Sequence, residues 1–225
     1  MIKHQLNLLL NSIAQPDTAY QSTKLLAVSK TWSADTLKEA YLAGQRSFGE
    51  NYLQEALIKV NTLSDLDIEW HFIGPIQSNK TKEIAHNFDW VQSIDRIKIA
   101  QRLSTQRPKA HANLNVCIQV NIDNEANKSG VHSDNVLDLA QQIAQFDNLM
   151  LRGLMIIPKN TDNPNEKRHS FQKAHHLFIQ LSEMYPSVDT LSMGMSGDMK
   201  LAISEGSTMV RVGTALFGQR HSTIK

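Results

Sequence analysis

Short runs rich in β-branched and apolar residues alternate along the chain with longer segments whose apolar positions recur at helical spacing. The short runs predict strands at residues 24–29, 47–49, 69–73, 90–93, 115–120, 149–155, 190–192 and 208–212. The longer segments predict helices at residues 34–43, 52–62, 79–86, 96–106, 135–145, 166–184 and 198–205. The alternation predicts a repeated βα unit. Residues 1–23 are expected to add an outer N-terminal helix.

Most of the predicted helices start beside a residue that can cap them. A side-chain oxygen at this position accepts a hydrogen bond from an otherwise unpaired first-turn amide. The expected helix entries are Ser33, Ser78, Asp95, Ser133 or Asp134, and Ser196 or Gly197.

Alternating strands and helices form either a closed barrel or an open doubly wound sheet, and alternation alone does not distinguish the two. Eight strands in 225 residues favour closure, so the prediction is one (β/α)₈ TIM barrel spanning residues 1–225 as a single domain. Functional residues of such barrels lie at the C-terminal ends of the strands. The polar residues and the glycine found there are Lys30, Glu50, Asn51, His71, Ser192, Ser196, Arg211 and Gly213.

Composition limits the function classes. Hydrophobic residues make up 41% and charged residues 20% of the chain, and the formal net charge is +1. No segment approaches the roughly 18 apolar residues of a membrane span, and the N-terminus lacks the pattern of a secretory signal. We therefore expect a cytoplasmic protein without a membrane or nucleic-acid partner, whose ligand is a small molecule.

Several common chemistries lack support in the sequence. Cys117 stands in an apolar run and is predicted to be a buried strand thiol rather than a nucleophile. His175 and His176 are adjacent and diverge on a helix, and His169 has no cysteine or carboxylate at ligand spacing, so no metal is expected. Walker phosphate loops, Gly-x-Gly-x-x-Gly fingerprints and Gly-x-Ser-x-Gly elbows do not occur.

Lys30 and two glycine-containing segments carry the remaining chemical signal. Lys30 directly follows a predicted strand, where it is either a solvated lysine or an amine able to condense with an aldehyde. Residues 192–198 leave the seventh predicted strand with small and hydroxyl side chains that suit an anion, although Ser196 alone would also be explained as a helix cap. Arg211 to Thr214 follow the eighth, where barrels commonly bind phosphate.

These motifs resemble those of the pyridoxal-phosphate homeostasis protein family. The segments that carry the resemblance, in family order, are Ala27-Val28-Ser29-Lys30-Thr31, Phe48-Gly49-Glu50-Asn51-Tyr52, Trp70 to Lys80, Ser192-Met193-Gly194-Met195-Ser196 and Arg211-Val212-Gly213-Thr214. No single motif is decisive, but together they cover nearly the whole chain. Two positions, Gly197 and Trp32, depart from the commoner family pattern without removing a cofactor-binding group.

The resemblance implies a barrel of the alanine racemase N-terminal domain type that binds pyridoxal 5′-phosphate (PLP). It implies a Schiff base on Lys30, phosphate contacts from Ser196, Gly213 and Thr214, and Arg211 near the pyridine nitrogen. The pocket would also be lined by Asn51, His71, Ser192 and Met193. For Asn51 and His71, a structural role in holding neighbouring loops is an equal alternative.

Three functions remain open at this point. The resemblance favours a carrier that supplies PLP to apo-enzymes, with no catalytic residues, as a monomer. An amino-acid racemase is the alternative, but Arg211 beside the pyridine nitrogen weakens PLP as an electron sink, and no second domain is expected after the barrel to supply a second base. A regulatory interaction protein is the third, and the near-zero net charge gives it no specific support.

Overall fold

Eight parallel strands form a closed barrel in the computed structural model, which describes residues 1–14 and 23–219. The nine strands are β1 (Lys24–Val28), β2 (Ser47–Glu50), β3 (Glu69–Phe72), β4 (Trp90–Ile94), β5 (Leu114–Asn121), β6 (Val131–His132), β7 (Leu149–Ile156), β8 (Thr190–Met195) and β9 (Met209–Val212). Their order is β4-β3-β2-β1-β9-β8-β7-β5, and β4 pairs with β5 to close the ring. The predicted barrel is confirmed, and the open sheet is wrong.

Nine helices accompany the strands in this part of the chain. They are α1 (Ile2–Ile13), α2 (Ala34–Leu42), α3 (Leu53–Thr62), α4 (Thr81–Asn87), α5 (Ile97–Gln106), α6 (Val136–Ile143), α7 (Pro164–Met184), α8 (Met199–Ser204) and α9 (Thr214–Phe217). Single 3₁₀ turns at Ser78–Lys80 and Ser133–Asn135 precede α4 and α6. The prediction missed β6, which pairs only with β5 outside the ring, and α9, because two and four residues are too few to give a periodic signal.

Helix α1 accounts for part of the N-terminal helix expected within residues 1–23, while residues 15–22 lie outside the described residues. Its buried face consists of Ile2, Leu6, Leu9 and Ile13, spaced three to four apart. This face packs toward α2, α8 and α9. The helix thus covers the side of the barrel where the first and last strands, β1 and β9, pair.

Helix caps were predicted with mixed success. The Ser33 hydroxyl accepts a hydrogen bond from the Thr36 amide and starts α2, as predicted. At α8 the prediction was wrong, because the helix starts after Asp198, whose Oδ1 accepts from the Met195 amide 2.6 Å away and so carries the turn past Ser196 and Gly197. Helix α5 starts after Arg96 without a side-chain cap, so Asp95 does not cap it.

The other two predicted entries stand beside 3₁₀ turns. Ser78 opens the turn before α4, and its carbonyl accepts from the Thr81 hydroxyl, while its own hydroxyl caps nothing. Before α6, the His132 ring accepts from the Asp134 amide, so neither Ser133 nor Asp134 is the cap. An imidazole can take this role because its unprotonated nitrogen is an acceptor.

The barrel interior differs from the main apolar core. Leu25 and Ala27 of β1 belong to that core, whereas Leu26 between them, fully buried, does not, because successive strand residues face opposite sides. A separate small cluster joins Trp90, Cys117 and Met155. Cys117 is fully buried, as predicted, and burial raises the pKa of its thiol, which makes it a poor nucleophile.

Within residues 1–14 and 23–219, no helix has both the length and the apolar content needed to cross a bilayer. In the same residues, no three His, Cys, Asp or Glu side chains are grouped so that they could bind a metal ion.

Candidate functional site

A cavity of about 260 Å³ opens at the C-terminal ends of the barrel strands. Six of the nine predicted site residues line it: Lys30, Asn51, Ser196, Arg211, Gly213 and Thr214. Apolar side chains form the rest of the wall, namely Val28, Ile73, Met155, Ile157 and Met195. The cavity therefore combines one amine, one guanidinium and several hydroxyl and amide groups around an apolar surface, a composition typical of small-molecule sites.

A larger cavity of about 460 Å³ lies elsewhere, against Trp70 and Arg107. Its cation is already satisfied, because the Arg107 guanidinium donates to the carbonyl oxygens of Ala85, Phe88 and Ala112 at 2.7–2.9 Å. Among the residues that the structure describes, no lysine lines this cavity. The smaller cavity at the strand ends is therefore the stronger candidate on chemical grounds, even though it has less volume.

Main-chain and side-chain groups hold the backbone on both sides of Lys30. The Ser29 amide donates to the Gly49 carbonyl at 3.0 Å, and the Thr31 amide donates to a Glu55 carboxylate oxygen. Thr31 has φ +71°, a conformation that is rare for a β-branched residue. The Glu55 contact thus stabilises a strained turn that directs Lys30, half-buried, toward the cavity.

A buried ion cluster lies beneath this turn. The Lys59 ammonium donates to the Ser29 carbonyl at 2.8 Å, to Glu50 Oε1 at 2.7 Å and to Glu55 Oε1 at 2.6 Å. The Ser29 hydroxyl also donates to Glu50 Oε1, at 2.6 Å. Burial raises the pKa of Glu50, and the charge and hydrogen bond of Lys59 oppose that rise. The cluster ties α3 and β2 to the residues that flank Lys30.

Two loops meet on the opposite side of the cavity. Ser196 and Gly197 follow β8, and Gly213 and Thr214 follow β9. The Ser196 hydroxyl accepts a hydrogen bond from the Ala215 amide at 3.4 Å, which joins the two loops. A Cβ at Gly213 would lie 3.2 Å from the Val28 carbonyl oxygen, so glycine permits this close approach. The predicted phosphate-binding residues are therefore neighbours in space.

Arg211 is a buried cation held by neutral acceptors. Its side chain donates to the Ser192 carbonyl at 2.7 Å, the Ser192 hydroxyl at 2.8 Å and the Ile156 carbonyl at 2.8 Å. Burial lowers its pKa to about 10, and the nearby charge of Asp198 opposes that shift. The group is therefore charged at neutral pH. A guanidinium has five N–H donors, so two have no protein acceptor among the described residues.

Asn51 lies at the boundary between this cavity and a neighbouring one of about 370 Å³. Its side-chain Oδ1 is buried and has no hydrogen-bond partner within the described parts of the chain. Its carbonyl oxygen lies only 2.1 Å from the position that a Cβ at Gly74 would take, so the loops after β2 and β3 are in close contact there. Asn51 thus has an acceptor available for a ligand in addition to its structural position.

Three predicted residues do not line the cavity. Met193 is fully buried in the main apolar core, because it faces the opposite side of β8 from Ser192. Ser192 and His71 are also fully buried, and they lie in the barrel interior, where Ser192 contacts Arg211 directly. His71 contacts Gln92 and Glu69 instead.

Sequence reasoning missed three polar residues of this region. Glu55 and Lys59 are four apart on α3, a spacing that predicts an ion pair but does not show that it reaches Ser29. Gln92 and its neighbour Ser93 are polar residues within a buried strand, and this interruption was the available signal. The apolar wall residues gave no signal, because a buried strand and a ligand wall have the same composition.

Comparison with known proteins agrees with the motifs. The family model for the alanine racemase N-terminal domain matches residues 2–221. A "Pyridoxal phosphate homeostasis protein" from Vibrio alginolyticus is 55% identical over 204 residues, which cover 89% of this chain and 88% of the relative. The protein of that name from Haemophilus influenzae is 50% identical over 228 residues, covering 98% of this chain and 96% of its own.

Solved structures show the same relationship at the level of the fold. PipY from Synechococcus elongatus, solved with PLP bound, superimposes with a TM-score of 0.86 at 37% identity, over 97% of this chain and 100% of that one. Alanine racemase from Corynebacterium glutamicum superimposes with a TM-score of 0.71 at 16% identity, over 100% of this chain and 63% of that one. At that identity, the second similarity concerns the fold alone.

Proposed function

Because the chain belongs to the pyridoxal phosphate homeostasis protein family, which shares the fold of the alanine racemase N-terminal domain, we propose that it binds PLP and supplies it to other proteins. The PLP complex of PipY, 37% identical over nearly the whole chain, supports the choice of ligand. The binding groups assigned here are Lys30, Asn51, Ser196, Arg211, Gly213 and Thr214, all of which line one cavity.

One observation carries the proposal. Lys30 and Arg211 line the same cavity, and Arg211 is a buried cation with two donors left over after its contacts with the described residues. An acceptor from a ligand would satisfy a donor that is otherwise buried without a partner. PLP has such an acceptor in its pyridine nitrogen, an aldehyde for the amine and a phosphate for the hydroxyl groups. The residues present therefore fit this cofactor.

Each group has a defined task in the proposed site. The Lys30 amine condenses with the aldehyde, so that a C=N bond forms as a Schiff base and water leaves. Ser196, Gly213 and Thr214 hold the phosphate through hydroxyl and amide donors. Arg211 donates to the ring nitrogen, and the apolar wall formed by Ile73, Met155 and Ile157 excludes water from the ring.

The same geometry favours a carrier over an enzyme. Bound PLP acts as an electron sink for amino-acid chemistry, and a guanidinium that donates to the ring nitrogen discourages the protonation that strengthens this sink. Racemisation also needs an acid and a base on opposite faces of the substrate. Among the described residues that line the cavity, no His, Tyr, Cys, Asp or Glu accompanies Lys30. We therefore assign no catalytic residue.

Borohydride trapping tests the binding proposal. Reduction of the PLP-loaded protein should attach the cofactor irreversibly to the peptide that contains Lys30, as mapped by mass spectrometry. Lys30→Ala should abolish the adduct without unfolding the protein. Lys80→Ala is the matched control, because Lys80 is also half-buried and lines the neighbouring 370 Å³ cavity. An adduct that persists in Lys30→Ala, or maps to another lysine, would refute the assignment.

Amino-acid turnover separates the carrier from a racemase, the function of a structural neighbour with 16% identity. The PLP-loaded protein is incubated with L-alanine and other amino acids in deuterated water, and deuterium at the α-carbon and the D-isomer are both followed. The carrier assignment predicts slow exchange at most, without inversion. Turnover at about 1 s⁻¹ or faster, an ordinary enzymatic rate, would make the protein a racemase.

The proposal extends to the setting in which the carrier works. We infer that it acts in the cytoplasm as a monomer that gives PLP to apo-enzymes, a transfer that the open mouth of the cofactor cavity would allow. Mixing the loaded protein with an apo-enzyme should restore the activity of that enzyme. The recovery should be faster than with free PLP, added at the concentration that the loaded protein releases when incubated in buffer alone. Gel filtration with light scattering should give the mass of one chain, and a stable dimer would contradict the monomer.

A further inference from the structure

A line of polar side chains crosses the barrel interior behind Arg211. The guanidinium contacts the Ser192 hydroxyl at 2.8 Å, which contacts Gln92 Oε1 at 2.7 Å. Gln92 Nε2 lies 3.0 Å from His71 Nδ1, and His71 Nε2 lies 2.8 Å from Glu69 Oε1. The three middle residues are fully buried, whereas Glu69, at the first residue of β3, is partly exposed. The line therefore joins the cofactor cavity to the opposite end of the barrel.

The two ends of the line, a guanidinium that can only donate and a carboxylate that can only accept, favour one direction for its hydrogen bonds. Ser192 accepts from the guanidinium, and its hydroxyl donates to Gln92 Oε1. This orients the amide so that Gln92 Nε2 donates to His71, whose Nδ1 must then be unprotonated. A neutral imidazole of this kind carries its hydrogen on Nε2 and donates it to Glu69.

The surroundings of His71 agree with this neutral form. Burial lowers its pKa, although Glu69 and Asp89 oppose the shift and Lys24 adds to it. The ring stacks on Trp90 with centroids 5.1 Å apart, and the Arg152 guanidinium also lies over the Trp90 ring, 4.8 Å from its centroid. All donors thus run from a cation toward a carboxylate, an arrangement in which each bond polarises the next.

We propose that Ser192, Gln92 and His71 are positioning residues that hold Arg211 toward the cofactor and connect its charge to Glu69 at the far end of the barrel. The part that concerns the cofactor rests on the proposed function. The arrangement stabilises a buried guanidinium without placing a carboxylate in the cavity, where it would compete with the ligand for the free donors. Glu69 adds negative charge through three neutral groups, besides the nearby charge of Asp198.

The direction of the line is tested without cofactor. Nitrogen-15 NMR of histidine-labelled, PLP-free protein should show His71 with a hydrogen on Nε2 and none on Nδ1 at neutral pH. In Gln92→Glu, a side chain of nearly the same shape, the introduced carboxylate accepts from His71, so Nδ1 should become protonated. Gln119→Glu is the matched control, because Gln119 lies on β5 and contacts Ser129 rather than this line. A wild-type His71 with hydrogen on Nδ1 would overturn the proposal.

The effect on Arg211 is tested on the loaded protein. Ser192→Ala removes one acceptor of Arg211 and breaks the line, so PLP release should become about tenfold faster and the near-visible absorption band should shift, whereas Gln119→Glu should leave both unchanged. This variant replaces a hydroxyl by hydrogen, so it serves where Gln92→Glu does not fold. Unchanged release and spectrum would overturn the positioning role. Failure of wild type to bind PLP would instead refute the proposed function, while the NMR experiment would still test the line.

Discussion

The two cations that line the cavity are held in contrasting ways. The turn that carries Lys30 rests on a compact ion cluster in which one buried ammonium, Lys59, contacts the carboxylates of Glu50 and Glu55 within 2.7 Å. Among the described residues, the hydrogen bonds of Arg211 go only to carbonyl and hydroxyl oxygens, and a line of three neutral side chains leads from it to the carboxylate of Glu69.

The difference indicates that one side of the cavity stabilises the fold and the other side binds the ligand. Charges that are paired at short range fix the backbone beside Lys30, and the side chains of Glu50, Glu55 and Lys59 do not line the cavity. A cation held by neutral groups keeps its charge and part of its donor capacity available. The Lys30 side should therefore govern stability, and the Arg211 side should govern cofactor binding. The following predictions test this division.

The largest effect on stability is expected at Lys59. Lys59→Met leaves the fully buried Glu50 and the half-buried Glu55 without their cation, and breaking such a buried pair typically costs about 3–5 kcal/mol of unfolding free energy. Urea denaturation at neutral pH measures the loss. Glu55→Gln is the control, for which about 1 kcal/mol or less is expected because that carboxylate is partly exposed. Equal losses in the two variants would contradict the assigned role of Lys59.

A smaller effect, on binding rather than stability, is expected at the phosphate loops. Ser196→Ala and Thr214→Val each remove a hydroxyl from the proposed phosphate site, so each should weaken PLP binding by about 1.5–3 kcal/mol, the usual value for a hydrogen bond to a charged group. Equilibrium titration followed by absorption measures the affinity. Pyridoxal, which lacks the phosphate, should bind weakly to wild type and lose nothing further in either variant. Equal affinities of wild type for pyridoxal and PLP would refute the proposed phosphate site.

The smallest effect is expected at Glu69, and it depends on pH. Burial alone would raise the pKa of Glu69, but its hydrogen bonds with His71 and Ser47 outweigh this and lower the pKa from its ordinary 4.5 to about 2. A lowered carboxyl pKa stabilises the fold above pH 4.5, and this stabilisation is lost as pH falls toward 2. Wild type should therefore exceed Glu69→Gln in unfolding free energy at pH 6 and lose that advantage below pH 4.5. An advantage independent of pH would contradict a charged Glu69 stabilised by these hydrogen bonds.

The sequence predicted the barrel and the neighbourhood of the cavity because both follow from local signals. Strand and helix periodicity gave the eight strands of the ring, and the ends of those strands gave Lys30, Arg211 and Gly213. Met193 was misplaced beside its neighbour Ser192, because a resemblance between motifs does not say which face of a strand each residue occupies.

The polar interior could not be predicted in the same way. The contacts of Gln92 with Ser192 and of Lys59 with Ser29 join residues 100 and 30 positions apart, and they depend on how β4 and α3 pack against the rest of the barrel. No spacing rule reports such distances. His71 was found by its motif, but its orientation away from the cavity follows from Glu69 and Gln92, whose roles appear only in three dimensions.

The measurement that tests the account most directly is nitrogen-15 NMR of protein loaded with PLP labelled at the ring nitrogen. Arg211, charged at neutral pH and with two donors to spare, should hold this nitrogen as an unprotonated acceptor. The account predicts an unprotonated ring nitrogen in wild type from pH 6 to pH 8, and protonation at a higher pH in Arg211→Gln than in wild type. A ring nitrogen that is protonated in wild type at neutral pH, or unaffected by Arg211→Gln, would contradict it.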